Sequence, residues 1–159
     1  MKILVWPLLA LALTACMPGI EEVTDDNSNK PVQDITDYSI CNGNPSGSVN
    51  GNWVTRQKQG DMMIINNMKI ADSKIVMTTE CSYMGRSLTL EVSSWINYLN
   101  SGITIQSAAF KRHKIEETGF NMLCETAITA GTFNYGFRGR CLTLTNAEKT
   151  TESSTWVPR

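Results

Sequence analysis

Five cysteines and a single histidine carry most of the reactive chemistry in this 159-residue chain. Cys41, Cys81, Cys124 and Cys141 are spread widely through it, while Cys16 ends an apolar leader. Thiols can bind metal or pair as disulfides. Zinc sites use closely spaced cysteines and histidines; no Cys-x-x-Cys occurs and His113 is the only histidine, so no metal or other cofactor is anticipated. An even set of four in an exported chain points instead to two disulfides, with three pairings open. His113 stands in Lys111-Arg112-His113-Lys114, which reads as a solvated basic turn. Its functional alternative is a small contact patch for lipid headgroups or an acidic partner. The chain has no Gly-x-Ser-x-Gly elbow, P-loop or His-Glu-x-x-His helix. Glu116-Glu117 reads as exposed loop charge. No catalytic residue is assigned, and an enzyme is not expected.

Met62, Met63, Met68, Met77, Met84 and Met122 are numerous for one small domain. Flexible thioethers fill irregular cores and also suit pockets that adapt to varied apolar ligands. Core filling is the expected role. Met62-Met63 would alternate across a strand rather than converge on a copper ion.

The first residues follow the plan of an export signal: Lys2, then an apolar run from Ile3 to Leu13 broken only by Pro7. The run is too short for a permanent spanning helix, which needs about 20 residues. It ends in Leu13-Thr14-Ala15-Cys16, which resembles the lipobox of bacterial lipoproteins. The resemblance implies cleavage before Cys16, diacylglycerol on its thiol and acylation of the new amino group. Two or three chains hold a membrane firmly where one does not. The family's sorting rule retains a chain with Asp after the cysteine on the inner membrane; Met17 favours the outer membrane. The expected localisation is therefore the bacterial cell envelope, lipid-anchored, with the membrane as one partner.

Behind this leader the chain changes character. From residue 16 to 48 six acidic residues face Lys30 alone, among many Asn, Ser, Pro and Gly. Such a segment buries too little apolar surface to offset its ordering entropy, so 16–48 is expected to be a disordered, acidic tether. Without residues 1–15, which hold Lys2, 13 basic residues oppose 15 acidic ones. That balance gives no basis for nucleic-acid binding.

Residues 49–159 suffice for one domain with one core. Their apolar residues recur with period two. Ile64, Asn66, Met68 and Ile70 share one parity, as do Ile75, Met77, Thr79 and Cys81 after the turn at Ala71-Asp72-Ser73. Leu88, Leu90 and Val92 follow, then Ile103 and Ile105, Phe120, Met122 and Cys124, Phe133, Tyr135 and Phe137, and finally Leu142 and Leu144. Short alternating runs between glycine-bearing turns indicate an antiparallel all-β protein. Ser94–Leu99 and Lys111–Glu117 are the best helical candidates, each a turn or two.

Gly51-Asn52-Trp53 at the start of the first alternating run resembles the Gly-x-Trp signature of lipocalins. Gly139-Arg140-Cys141-Leu142-Thr143-Leu144 is similar to a late strand of such domains, and Gly85-Arg86-Ser87-Leu88-Thr89-Leu90 echoes it. The resemblance implies an up-and-down meander closed into a lipocalin-like barrel of about eight strands. It also implies that Trp53 plugs the closed end and that Arg159, in Trp156-Val157-Pro158-Arg159, packs across it in a cation–π contact. Another antiparallel barrel or a sandwich is the alternative.

Strand parity then selects among the cysteine pairings. Cys81 shares a face with Ile75 and Met77, and Cys124 with Phe120 and Met122, so both point inward. Cys141 lies opposite Leu142 and Leu144 and points outward, while Cys41 lies in the tether. Cys81–Cys124 inside and Cys41–Cys141 outside is the expected set.

Three functions are compatible with these readings. The barrel holds a small apolar or amphipathic ligand, or it is a filled structural module of the surface. The third is contact with an envelope protein or an attacking hydrolase. Glu80-Cys81-Ser82-Tyr83-Met84-Gly85 followed by Leu88-Thr89-Leu90-Glu91-Val92 is similar to the opening strands of periplasmic lysozyme inhibitors. Their inhibitory loop, Ser-Gly ahead of a tyrosine, has no match here.

Overall fold

A computed structural model describes residues 30–45 and 47–159. The signal at 1–15, the lipidation site Cys16 and the sorting position Met17 lie outside the described residues.

Strand β1 (Val32–Asp34) and a 3-10 turn (Tyr38–Cys41) precede four long strands joined by tight turns. These are β2 (Gly51–Gln59), β3 (Met62–Ala71), β4 (Lys74–Tyr83) and β5 (Arg86–Tyr98). Asp72 and Ser73 both sit at positive φ, 51° and 59°, the twist that lets a two-residue turn join antiparallel strands without splaying them. The register of these hairpins aligns Trp53 with Met68, Met68 with Met77, and Met77 with Val92. One face of all four strands thus carries the inward residues.

After β6 (Gly102–Ile105) come β7 (Ala109–Glu117) and β8 (Phe120–Ile128), then β9 (Gly131–Arg138), β10 (Cys141–Asn146) and β11 (Ser153–Pro158). β6 pairs with β5 and with β9 rather than with β7, and β11 returns to β2. Since β2 also pairs with β3, the sheet closes into an eight-stranded antiparallel barrel, consistent with a lipocalin-like fold. The meander is interrupted once. β7 and β8 pair only with each other in a two-stranded sheet that packs on β4 and β5. There Met122 and Cys124 join Met62, Cys81, Tyr83 and Leu90 in a second core, and Cys81–Cys124 fastens the hairpin down.

Both helical candidates are strands. Ser94–Leu99 lies almost wholly in β5, where Ser94 and Ile96 are buried, Trp95 and Asn97 are exposed, and β4 and then β6 supply the backbone partners. Lys111–Glu117 falls in β7, nearly all exposed. Its extended form comes from its ladder with β8, which one segment's own sequence does not reveal. Lys111-Arg112-His113-Lys114 is accordingly mid-strand, not a turn.

The tether read over 16–48 is placed along part of its length. β1 pairs with Gln57–Gln59 on the edge of β2 that β11 occupies only at Trp53 and Val54. Beyond β1, the Ile35 N–H donates to the Arg56 carbonyl at 2.9 Å. Thr36 Oγ1 accepts from the Arg56 N–H at 2.9 Å and donates to its carbonyl. A polar segment orders here because it satisfies an open strand edge, and because Cys41–Cys141 closes the arrangement. Cys41, Cys141, Val54 and Val157 form a small apolar cluster on the barrel's outer wall.

Candidate functional site

The inward faces divide the barrel along its axis. At one end Trp53 is buried among the main core residues, its indole N–H donating to the Val49 carbonyl at 3.0 Å and its ring 6.3 Å from that of Phe137. The cation–π partner expected for Trp53, Arg159, lies elsewhere. Pro158 pairs with Trp53 in register, so alternation puts Arg159 on the outer face, where its N–H donates to the Asn52 carbonyl at 3.0 Å. Among the described residues the cation–π contacts are Arg86 over Phe120 and Arg112 over Phe110.

Away from Trp53 the interior opens into a cavity of about 490 Å³. Met68 and Met77, cross-strand neighbours, form one wall, and Phe133, Leu144 and Trp156 another. Ile128, at the end of β8, reaches in from the hairpin. The rim belongs to the loop from β10 to β11, which Asn146 organises by accepting from the Glu148 and Lys149 N–H groups at 2.9 and 3.2 Å. Lys149 and Glu152 pair across that loop at 3.1 Å. The methionines divide by location: Met68 and Met77 line the cavity, Met62 and Met122 fill the second core, and Met84 is exposed.

A second space, about 540 Å³, lies at the seam where β2 and β11 part. Thr55, Gln57 and Asn66, all on the inward parity, line it from inside. Tyr38 and Asp34 line it from the strap formed by residues 32–41, and Arg138 from the outer wall. The Tyr38 hydroxyl donates to Asp34 Oδ2 at 2.6 Å, and the Thr36 N–H to Asp34 Oδ1 at 2.9 Å. Partial burial pushes the Asp34 carboxyl up, but the hydrogen bonds from Thr36 and Tyr38 outweigh it and hold it below the ordinary aspartate range. The inner polar wall is itself bonded: Thr79 Oγ1 to Asn66 Oδ1 at 2.8 Å, and Asn66 Nδ2 to Gln57 Oε1 at 3.4 Å.

No family model, curated protein or solved structure matches the chain. The site therefore rests on its own geometry.

Both expected disulfides are present, Cys41–Cys141 and Cys81–Cys124. The basic run does not converge on an anion site: Arg112 pairs with Glu125 on β8, and Lys114 with Glu116. Tyr83, in the stretch similar to lysozyme inhibitors, is buried with its ring 5.5 Å from that of Phe120. One feature, the seam, was missed in the sequence. The seam needs the β2–β11 register, which no local pattern encodes. Its inner wall did leave a signal, since Asn66 and Thr79 are polar residues on an inward parity.

Proposed function

We propose that this chain is a lipid-anchored envelope protein whose barrel binds a small apolar or amphipathic molecule. The observation that carries the reading is the cavity of about 490 Å³ walled by Met68, Met77, Phe133, Leu144 and Trp156. The space opens at the barrel rim beside Thr151 and Glu152, so a ligand can enter it without unpacking the core. Ligand pockets usually fall near ~300–1,000 Å³ with mostly apolar walls and a few polar groups. Adaptable thioethers on one wall suit apolar ligands of varied shape.

The test uses the mature chain exported with its disulfides and with Cys16→Ser to keep it soluble. N-phenyl-1-naphthylamine should bind with enhanced fluorescence. Met77→Trp, which places a ring in the cavity from its half-buried wall, should weaken binding at least about tenfold, a change of ~1.4 kcal/mol. Equal affinity in a folded Met77→Trp chain would remove the cavity as the site.

Attachment is tested separately. Cells supplied with labelled palmitate should incorporate it into the wild-type chain and not into Cys16→Ala. Label retained in the alanine variant would place the lipid elsewhere, and none in the wild type would end the lipoprotein reading.

A further inference from the structure

We infer that the ligand is an amphiphile with an uncharged, hydroxyl-bearing head, lodged with its chain in the barrel cavity and its head in the seam. This rests on the binding function proposed above and deepens it. The two spaces adjoin, with Ser153, Ser154 and Trp156 belonging to the walls of both. Their linings differ in kind. The barrel side is methionine, aliphatic and aromatic in its depth, with polar residues such as Asn146 and Glu152 at its rim, whereas the seam side mixes apolar surface with the hydroxyls and amides of Thr55, Gln57, Asn66 and Ser154. A molecule filling both must be apolar at one end and hydrogen-bonding at the other.

The charges at the seam bear on the head. Asp34 is its carboxylate and Arg138 its guanidinium. Opposite in sign, they give the seam no net charge to offset that of an ionic head. Asp34 already accepts from Thr36 and Tyr38, which leaves it less free to pair with a cation. Thr55, Gln57 and Ser154 supply neutral donors and acceptors between them, which suits a head that both gives and takes hydrogen bonds without bringing charge. A neutral head also avoids the large desolvation cost of moving an ion through a partly enclosed space.

The seam also gives the head a way in. It is lined at once by inward residues of β2 and β3 and by outer-wall positions such as Cys41 and Arg138. It thus passes through the barrel wall where β2 and β11 share only the pairs Val54–Val157 and Trp53–Pro158. The strap crosses its mouth, held by Tyr38, whose hydroxyl lies 3.5 Å from the Thr155 carbonyl.

The test is displacement of N-phenyl-1-naphthylamine from the oxidised mature chain by three amphiphiles of one chain length. Monolauroylglycerol should displace it at concentrations roughly tenfold below those of laurate and dodecyltrimethylammonium. Thr55→Val, near-isosteric, and Gln57→Leu should each erase most of that preference. Equal displacement by all three, or a preference that survives both substitutions, overturns this inference and leaves the cavity reading standing. Failure of the naphthylamine to bind at all removes the cavity reading and this inference with it.

Discussion

Gly139→Ala will detach the strap from the barrel wall and cost about 2–4 kcal/mol of stability. Gly139 holds φ at +55°, and a Cβ built there would lie 1.7 Å from the Cys41 carbonyl oxygen and 2.9 Å from its carbon. Both are backbone atoms, so no rotamer change relieves the clash. The neighbouring Arg140 N–H donates to that same carbonyl at 3.1 Å. Cys41 is also bridged to Cys141, two residues beyond Gly139. The strap must therefore withdraw while its sulfur is tied to the very turn that repels it. Urea unfolding of the oxidised chain should show a lowered midpoint, and thiol titration should find Cys41 and Cys141 partly unpaired. Gly136→Ala is the control. That glycine is exposed on β9 and a Cβ there meets nothing within 4 Å, so its effect should stay within about 0.5 kcal/mol. If both variants unfold alike, the close approach at Gly139 has no energetic weight.

The double variant Cys81→Ala with Cys124→Ala should lose a similar amount, about 2–4 kcal/mol, and lose it in one place. The bridge spans 43 residues, long enough for its removal to free substantial chain entropy in the unfolded state. Its structural weight is local because β7 and β8 have no ladder to the barrel. Besides this bridge, the hairpin is held by the apolar contacts of Met122 and its neighbours and by an Arg86–Glu117 ion pair at 2.8 Å. That pair is about half exposed at both ends, so it contributes little. Amide exchange in β7 and β8 should accelerate far more than in β2 to β5. Uniform acceleration across the barrel would show that the hairpin and barrel open as a single unit regardless of the bridge.

Much of the architecture was legible because strand alternation is a local property. Cys81 with Met77 and Cys124 with Met122 reveal their direction from residues two positions away, and the pairing inside the barrel follows. Cys141 points outward by the same logic, although it is fully buried there because Cys41 and Val157 cover it. The Arg159 contact failed on the same rule. Trp156 faces inward, so Arg159, three residues on, faces out; the resemblance to lipocalins suggested otherwise, and parity decided. The hairpin excursion and the strap were not legible, since each depends on which edge is vacant. Nothing within Lys111–Glu117 says that β6 will choose β9. Likewise Val32–Asp34 becomes a strand only because β11 leaves β2 unpaired at Gln57–Gln59. The cavity shares this origin: its walls come from six barrel strands and the base of the β7–β8 hairpin, and its volume is what their side chains leave unfilled.

The outer bridge also fixes how the molecule bears load. Tension on the N-terminal segment reaches Cys41, crosses to Cys141 and leaves through β10 and β11, bypassing the intervening chain. The two cysteines are 100 positions apart, so roughly 330–360 Å of extensible contour, at ~3.3–3.6 Å per residue, is kept out of the force path. Strands β2 to β9, with most of the cavity wall, sit in that slack loop. A chain pulled by its two ends lengthens only at its outer segments, so the load falls on β10 and β11, which bring Leu144 and Trp156 to the chamber, and not on the ladders from β2 to β9.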